Sequence, residues 1–248
     1  MTEYLLLILV GLIAGVINTI AGGGSLLTLP MLIFMGLPSN IANGTNRIAI
    51  LIQNIFSIAG FKSKGVSAYP FSLYIGIAAL LGSLVGARIA VDIKGETFNR
   101  ILAIVMVVVV VLMVLKPKTS LKEVEEQLTG KYLWLSLIIF FFIGIYGGFI
   151  QAGTGLFMLL AMSSINHFSL VKANAAKVMV AFIYTIGAVV VFALNDKISW
   201  KHGLILAIGN STGAWFASRW SVNKGDNLVK IFLAIMVIFM AIKLWFFS

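Results

Sequence analysis

Gly15-Val16-Ile17-Asn18-Thr19-Ile20-Ala21-Gly22-Gly23-Gly24-Ser25 interrupts an apolar stretch that extends from residue 4 to residue 37. A single helix over that stretch would rise about 50 Å, whereas the hydrocarbon core of a bilayer is about 30 Å thick. Glycine is a poor helix former and readily takes positive φ, and Pro30 follows the three glycines. The stretch therefore predicts a helix over 4–20, a break at 21–25 and a short helix over about 26–36.

The interruption occurs a second time in the chain. Ala152-Gly153-Thr154-Gly155 aligns with Ala21-Gly22-Gly23-Gly24 at an offset of 131 residues, which predicts a second break at 152–155. The same offset pairs Asn43 with Asn174, Gly82 with Gly213, and Arg88 with Arg219. Internal duplication in a hydrophobic chain is typical of membrane transporters.

Composition determines the broad class of protein. Of the 248 residues, 60% are hydrophobic and 10% are charged, with 18 Lys plus Arg against 8 Asp plus Glu. Several apolar runs exceed the length of about 18 residues that indicates a membrane span. We therefore expect an all-α, multi-pass integral membrane protein, whose basic residues meet lipid headgroups. No basic stripe with interleaved aromatic residues indicates nucleic-acid binding.

The chain divides at one charged segment. Residues 1–115 form the first predicted transmembrane repeat, residues 116–131 a linker outside the bilayer, and residues 132–248 the second repeat. Each repeat has four segments, of which the first is broken by glycine, giving about eight spans or ten helical segments. Helices are predicted near 41–61, 70–91, 97–115, 171–194, 202–222 and 228–247.

The orientation of the two repeats depends on the breaks. If each broken segment crosses the membrane once, the repeats are parallel; if each folds back, the repeats are inverted. The distribution of Lys and Arg between the two sides slightly favours the inverted arrangement with the N-terminus outside.

The breaks are candidate anion sites. Backbone amides at a break precede the positive end of a short helix, and a helix N-terminus after a glycine-rich turn binds anions readily. The alternative is that the glycines serve only a tight turn or close packing. Their duplication favours a site, so we predict that two such tips enclose a small anion between Gly22, Gly23, Gly24 and Gly153, Thr154, Gly155.

Polar residues near the breaks are the other candidate ligands. Amide and hydroxyl groups supply hydrogen-bond geometry and cations supply attraction. The candidates are Asn18, Asn43, Thr45, Asn46, Gln151, Asn174 and Lys177. For Asn43 and Asn174, ordinary helix N-capping is an equally good interpretation.

Three arginines are weaker candidates for a gate or a funnel that attracts anions. For Arg47, and also for Lys177, the sequence slightly favours a side chain that snorkels to the membrane surface. Arg88 and Arg219 lie near the ends of predicted spans, where snorkelling is the default and a gate the alternative. Glycines four residues apart, such as Gly82 and Gly86, predict close helix packing.

The residue types that are absent or rare in the predicted spans exclude several kinds of site. No carboxylate lies in the middle of a predicted span, so a transported proton would travel on the substrate or through water. With no cysteine and two separated histidines, we expect no metal site, and nothing indicates a cofactor. No P-loop or hydrolase arrangement is present, so we expect no enzyme activity.

The motifs resemble those of a known family. Gly15 to Ser25, then Asn43-Gly44-Thr45-Asn46, then Gly82-Ser83-Leu84-Val85-Gly86-Ala87-Arg88 are similar to the sulfite exporter TauE/SafE family, also called the toluene sulfonate uptake permease family. The resemblance implies transport of sulfite, sulfoacetate or related sulfonates across the cell (inner) membrane, in many members as export. The second half diverges, because Gly153-Thr154-Gly155 replaces the triple glycine and Lys177 replaces Asn46.

The residues themselves leave three functions open. A secondary transporter of small oxyanions is the leading hypothesis. A passive anion channel is the alternative, because broken helices serve both classes. A non-transporting membrane scaffold would leave the paired breaks without a purpose. Small-residue faces are compatible with a homodimer and equally with packing inside one chain.

Overall fold

The computed structural model describes residues 2–115 and 125–221, which fold entirely as helices joined by short loops. The predicted last segment, 228–247, lies outside the described residues, as does most of the linker. The helices are α1 (Thr2–Ala21), α2 (Ser25–Phe34), α3 (Ser39–Lys62), α4 (Phe71–Asp92), α5 (Gly95–Leu115), α6 (Gly130–Phe149), α7 (Thr154–Ile165), α8 (Leu170–Leu194) and α9 (Trp200–Trp220).

Within the described residues, four helices are both long and apolar enough to cross a membrane: α1, α4, α6 and α8. Large apolar side chains cover the outside of the molecule, as at Leu9, Ile89 and Leu194. The interior holds polar side chains, among them Asn43, Gln53 and other residues of α3. This distribution is the reverse of that in a soluble protein, and it fits an integral membrane protein.

Both predicted breaks are present. The first separates α1 from α2 at residues 22–24, within one residue of the prediction. The second occupies residues 150–153, two residues earlier than predicted, because Thr154 already begins α7. The helix α6 begins at Gly130, inside the predicted linker.

At each break the chain reverses direction. Gly24 lies against Ala14 and Asn18, which are one to two turns before the end of α1. Thr154 likewise lies against Gly147 of α6. The short helices α2 and α7 therefore return beside the helices that precede them.

Contacts at glycines define the direction of the outer helix pairs. Gly209 and Gly213 of α9 lie against Ile8 and Leu12 of α1, so the two helices run parallel. In the same way Gly144 and Gly148 of α6 lie against Ala79 and Ser83 of α4. The packing predicted for the glycine pairs is confirmed, and it occurs within the chain.

The helices α3 and α8, which occupy equivalent places in the two halves of the sequence, run antiparallel. Gly44 near the start of α3 contacts Lys197, which follows the end of α8. Phe61 near the end of α3 packs with Ala175 and Val178 near the start of α8. The two helices therefore place their polar N-terminal halves at opposite ends of the molecule.

Candidate functional site

The two breaks meet in the interior. A Cβ atom on Gly22 would overlap the backbone of Gly155, and a Cβ atom on Gly155 would overlap the backbone of Gly22. Gly22 and Gly153 both have positive φ, 78° and 72°, a conformation that glycine takes without steric cost. Glycine is therefore needed at these tips both for the turn and for the close approach of the two halves.

A small cavity lies beside this contact. It is lined by five of the residues predicted from the sequence, namely Asn18, Gln151, Thr154, Gly155 and Lys177. Three further polar residues, Ser25, Asn54 and Tyr184, also line it. Its free volume is about 20 Å³, which is room for about one water molecule. The structure thus brings part of the predicted site together in a compact, enclosed form.

Lys177 joins the cavity to the first half of the chain. Its ammonium group donates hydrogen bonds to the carbonyl oxygens of Asn18 and Thr19, at 2.9 and 2.8 Å, and to Oδ1 of Asn174 at 2.7 Å. Those carbonyls belong to the last turn of α1, where a cation is favourable. Lys177 is only 3% exposed, so the snorkelling interpretation is wrong for this residue.

Arg47 makes the corresponding contact from the first half of the chain to the second half. Its guanidinium donates to the carbonyl oxygens of Gly147 at 2.9 Å and of Gly148 at 2.6 Å, at the end of α6. Its carbon Cζ lies 4.7 Å from the ring centre of Phe192. Arg47 is fully buried, so snorkelling is wrong here as well, and the residue is a structural cap rather than a gate at the surface.

The predicted asparagines have different partners. Asn43 donates to the carbonyl oxygen of Phe149 at 2.8 Å and accepts from Arg47, while Asn174 accepts from Lys177. The N-capping interpretation is wrong for both, because α3 begins at Ser39 and α8 at Leu170. These asparagines position the two buried cations and do not line the cavity.

The remaining predicted residues do not line the cavity. Thr45 accepts from the backbone N–H of Ser199 at 2.8 Å, and Asn46 accepts from the Thr28 hydroxyl at 2.6 Å. Gly23, Gly24 and Gly153 form the turns themselves. Arg88 and Arg219 are exposed near the ends of α4 and α9, so the structure does not bring them to the cavity.

Sequence reasoning missed Asn54 and Tyr184. The signal for Asn54 was available, because Gln53-Asn54 is a polar pair in the middle of an apolar segment, and polar residues at that depth are functional candidates. A role for Tyr184 is harder to predict from sequence, because one tyrosine in an apolar helix is commonly part of the packing.

The charge of the interior is positive. The carboxylates in the described ranges are all exposed: Glu3, Asp92, Glu96, Glu125, Glu126 and Asp196. Arg47 and Lys177 are both buried, and helix C-termini offset part of their charge. Within residues 2–115 and 125–221, no group of acidic, histidine or cysteine residues is suited to hold a metal ion.

A helical membrane fold with a polar site between two broken helices defines a membrane transporter. The comparisons agree with this class, and the chain belongs to the sulfite exporter TauE/SafE family, whose model matches residues 7–244.

Curated relatives carry the same general description. A probable membrane transporter protein of Escherichia coli K12, YfcA, is 30% identical over 98% of this chain and 89% of its own length. Probable membrane transporter proteins of Haemophilus influenzae and of Sinorhizobium sp are each 29% identical, covering 96% and 94% of this chain and 93% and 88% of their own lengths. No solved structure matches the chain significantly. The chain is therefore a membrane transporter and not an enzyme.

Proposed function

We propose that this chain is a secondary transporter of the inner membrane that exports small sulfur-containing oxyanions such as sulfite or organosulfonates. One observation carries the proposal: a cavity between the two broken helices is lined by Lys177 and by neutral amide and hydroxyl groups, while no described carboxylate is buried. The sulfur chemistry and the direction of transport rest on the description of the family.

A carrier explains the cavity better than a passive channel. An open channel needs a wide aqueous path, whereas this cavity has room for about one water molecule. A carrier passes through states in which its site is enclosed between the two repeats. We therefore propose that the site opens to one side of the membrane at a time.

The two halves are proposed to be inverted repeats. The antiparallel directions of α3 and α8 support this arrangement, because parallel repeats would orient equivalent helices alike. The reversal of the chain at each break supports it too, since α1 with α2 brings the chain back toward the side where it began.

Transport by the purified protein in liposomes tests the function. Proteoliposomes should move sulfite faster than empty vesicles, and the rate should saturate with sulfite concentration. Lys177→Met should lower this flux roughly tenfold or more, because the buried positive charge attracts an anion strongly where little water screens it.

Lys172→Met is the matched control. Lys172 lies on the same helix, but it is partly exposed and pairs with Glu126 at 2.6 Å. Its loss should leave the flux within about twofold of the wild type, because exposed ion pairs contribute little. Sulfite flux equal to that of empty vesicles for folded wild-type protein would overturn the proposed substrate.

A further inference from the structure

Two buried amide atoms that line the cavity have no hydrogen-bond partner among the described residues. They are Nδ2 of Asn54 and Oε1 of Gln151. Asn54 is 1% exposed and Gln151 is 4% exposed, so bulk water does not satisfy them. Buried polar atoms in native proteins normally have partners, so these two require one that the described residues do not supply, either a water molecule or a polar group of a ligand.

The two atoms differ in chemistry. The amide nitrogen of Asn54 is a donor and suits an anionic oxygen. Gln151 donates through Nε2 to the hydroxyl oxygen of Thr185 at 3.3 Å, which leaves its carbonyl oxygen as an acceptor. An acceptor inside an anion site repels a fully deprotonated oxyanion and attracts an O–H or N–H group.

The position of Gln151 supports a specific role for its side chain. Its φ is 61°, in the left-handed region that glycine occupies most easily. Ile20, which aligns with it in the first half, lies inside α1. Non-glycine residues held in this conformation occur at functional sites. The side chain of Gln151 is thus placed in the break at a conformational cost, and only in the second half.

We infer that the cavity selects a singly charged oxyanion that carries its own hydrogen-bond donor, such as hydrogensulfite, over one that does not. This inference rests on the proposed anion transport. The anionic oxygens accept from Nδ2 of Asn54 and lie within the positive field of Lys177, whose own donors remain bonded to Asn18, Thr19 and Asn174. The O–H or N–H group of the ligand donates to Oε1 of Gln151. With no buried carboxylate in the described ranges, a proton that crosses with sulfite crosses on the substrate itself.

Sulfamate and methanesulfonate are suitable probes. Both are compact monoanions near neutral pH. Sulfamate carries an NH2 group where methanesulfonate carries a CH3 group. Binding to the purified full-length protein is measured by thermal shift, because a ligand stabilises the state that it binds. Sulfamate should bind roughly tenfold or more tightly than methanesulfonate, because an unpaired acceptor in the site rejects the analogue that has no donor.

Variants of single residues test which side chains produce the preference for sulfamate over methanesulfonate. Gln151→Met should abolish the preference and leave methanesulfonate affinity within about twofold of the wild type. Asn54→Leu should weaken both anions by the same factor. Gln53→Met is the matched control, since Gln53 is a buried glutamine that does not line the cavity, and the preference for sulfamate should persist.

A pH series serves as a second measurement that needs no variant. Apparent affinity for total sulfite should rise as the pH falls through neutrality, because hydrogensulfite becomes the main species. Methanesulfonate controls for titration of groups that face the cavity, notably Lys177 and Tyr184, and its affinity should stay constant.

The outcomes separate the two proposals. Equal binding of sulfamate and methanesulfonate to the wild type would overturn the donor preference and leave the anion site standing. If sulfite, sulfamate and methanesulfonate all fail to bind folded protein, the proposed function itself is wrong.

Discussion

Each half of the molecule stabilises the broken helix of the other half through one buried cation. Arg47 in the first half contacts carbonyl oxygens at the end of α6, and Lys177 in the second half contacts those at the end of α1. Helix C-termini expose carbonyls that have no partner inside the helix, and burial makes an unpaired carbonyl costly. The two cations satisfy these carbonyls and reinforce the contact between the repeats.

The contacts of Arg47 predict a measurable contribution to the stability of the folded protein. Arg47→Leu should destabilise the protein by roughly 3 kcal/mol, because several buried carbonyls lose a charged donor. For a chain of this size the melting temperature should then fall by about 6–12 °C. Thermal unfolding in detergent, monitored through the loss of the monodisperse peak, measures the effect.

Arg88→Leu is the control for that variant. Arg88 is an exposed arginine near the end of α4, and its replacement should change stability by no more than about 0.5 kcal/mol. Equal melting temperatures for the two variants would contradict the capping role of Arg47.

Glycines determine how closely the helices approach. A Cβ atom on Gly82 would overlap the carbonyl oxygen of Phe141, and one on Gly213 would overlap that of Leu12. These two glycines are equivalent in the duplicated sequence, and they serve equivalent helix pairs, α4 with α6 and α1 with α9. The rigid partner in both cases is backbone, which cannot rotate away as a side chain can.

Gly82→Ala and Gly213→Ala are therefore a matched pair of variants that test the close packing of these helix pairs. Each should destabilise the protein by about 1–3 kcal/mol or more, because the helices must move apart to admit the methyl group. Thermal stability and the yield of folded protein measure the effect.

Gly95→Ala is the corresponding control. The nearest atom to an added Cβ there is Oγ of Ser39 at 3.6 Å, an ordinary contact. This variant should be as stable as the wild type. Unchanged stability of Gly82→Ala would show that the two helices are not in close contact in the membrane.

At the scale of the whole molecule, the directions of the helices decide how the two halves are arranged. The helices α3 and α8 run antiparallel, while α1 with α9 and α4 with α6 run parallel. The proposed inverted repeats, related by a two-fold axis in the membrane plane, agree with these directions. That arrangement would place the loop after α3 and the loop after α8 on opposite sides of the bilayer.

Labelling of single cysteines tests this topology, and the natural chain has no cysteine to remove. Ser67→Cys lies in the exposed loop after α3, and Lys201→Cys is exposed at the start of α9. A membrane-impermeant thiol reagent applied to intact cells should label Lys201→Cys and leave Ser67→Cys unlabelled, in accord with the excess of Lys and Arg on the side of the first loop.

Opened membranes provide the control, since both cysteines should then react. Labelling of both positions from the same side would contradict inverted repeats and favour the parallel arrangement.

Much of the architecture follows directly from local sequence. The breaks near Gly22 and Gly153, the short helices that follow them and the helix packing at Gly82 and Gly213 were all predictable. Backbone conformation and helix length depend on nearby residues, so glycine clusters and apolar runs reveal them. Proximity to the predicted breaks also identified Asn18 and Gln151, and the aligned repeat identified Lys177; all three line the cavity.

The partners of the buried polar groups depended on the tertiary structure. The sequence could not show that Arg47 and Lys177 contact the opposite half, because those contacts join residues 100 or more positions apart. For the same reason the sequence could not decide between N-capping and ligand contact for Asn43 and Asn174, which contact the buried cations instead. Asn54 and Tyr184 entered the site only through the packing of α3 against α8. Sequence by itself determined where the chain breaks and which groups are polar; which groups meet across the molecule was decided by the fold, because a side chain's partner depends on helix packing in three dimensions.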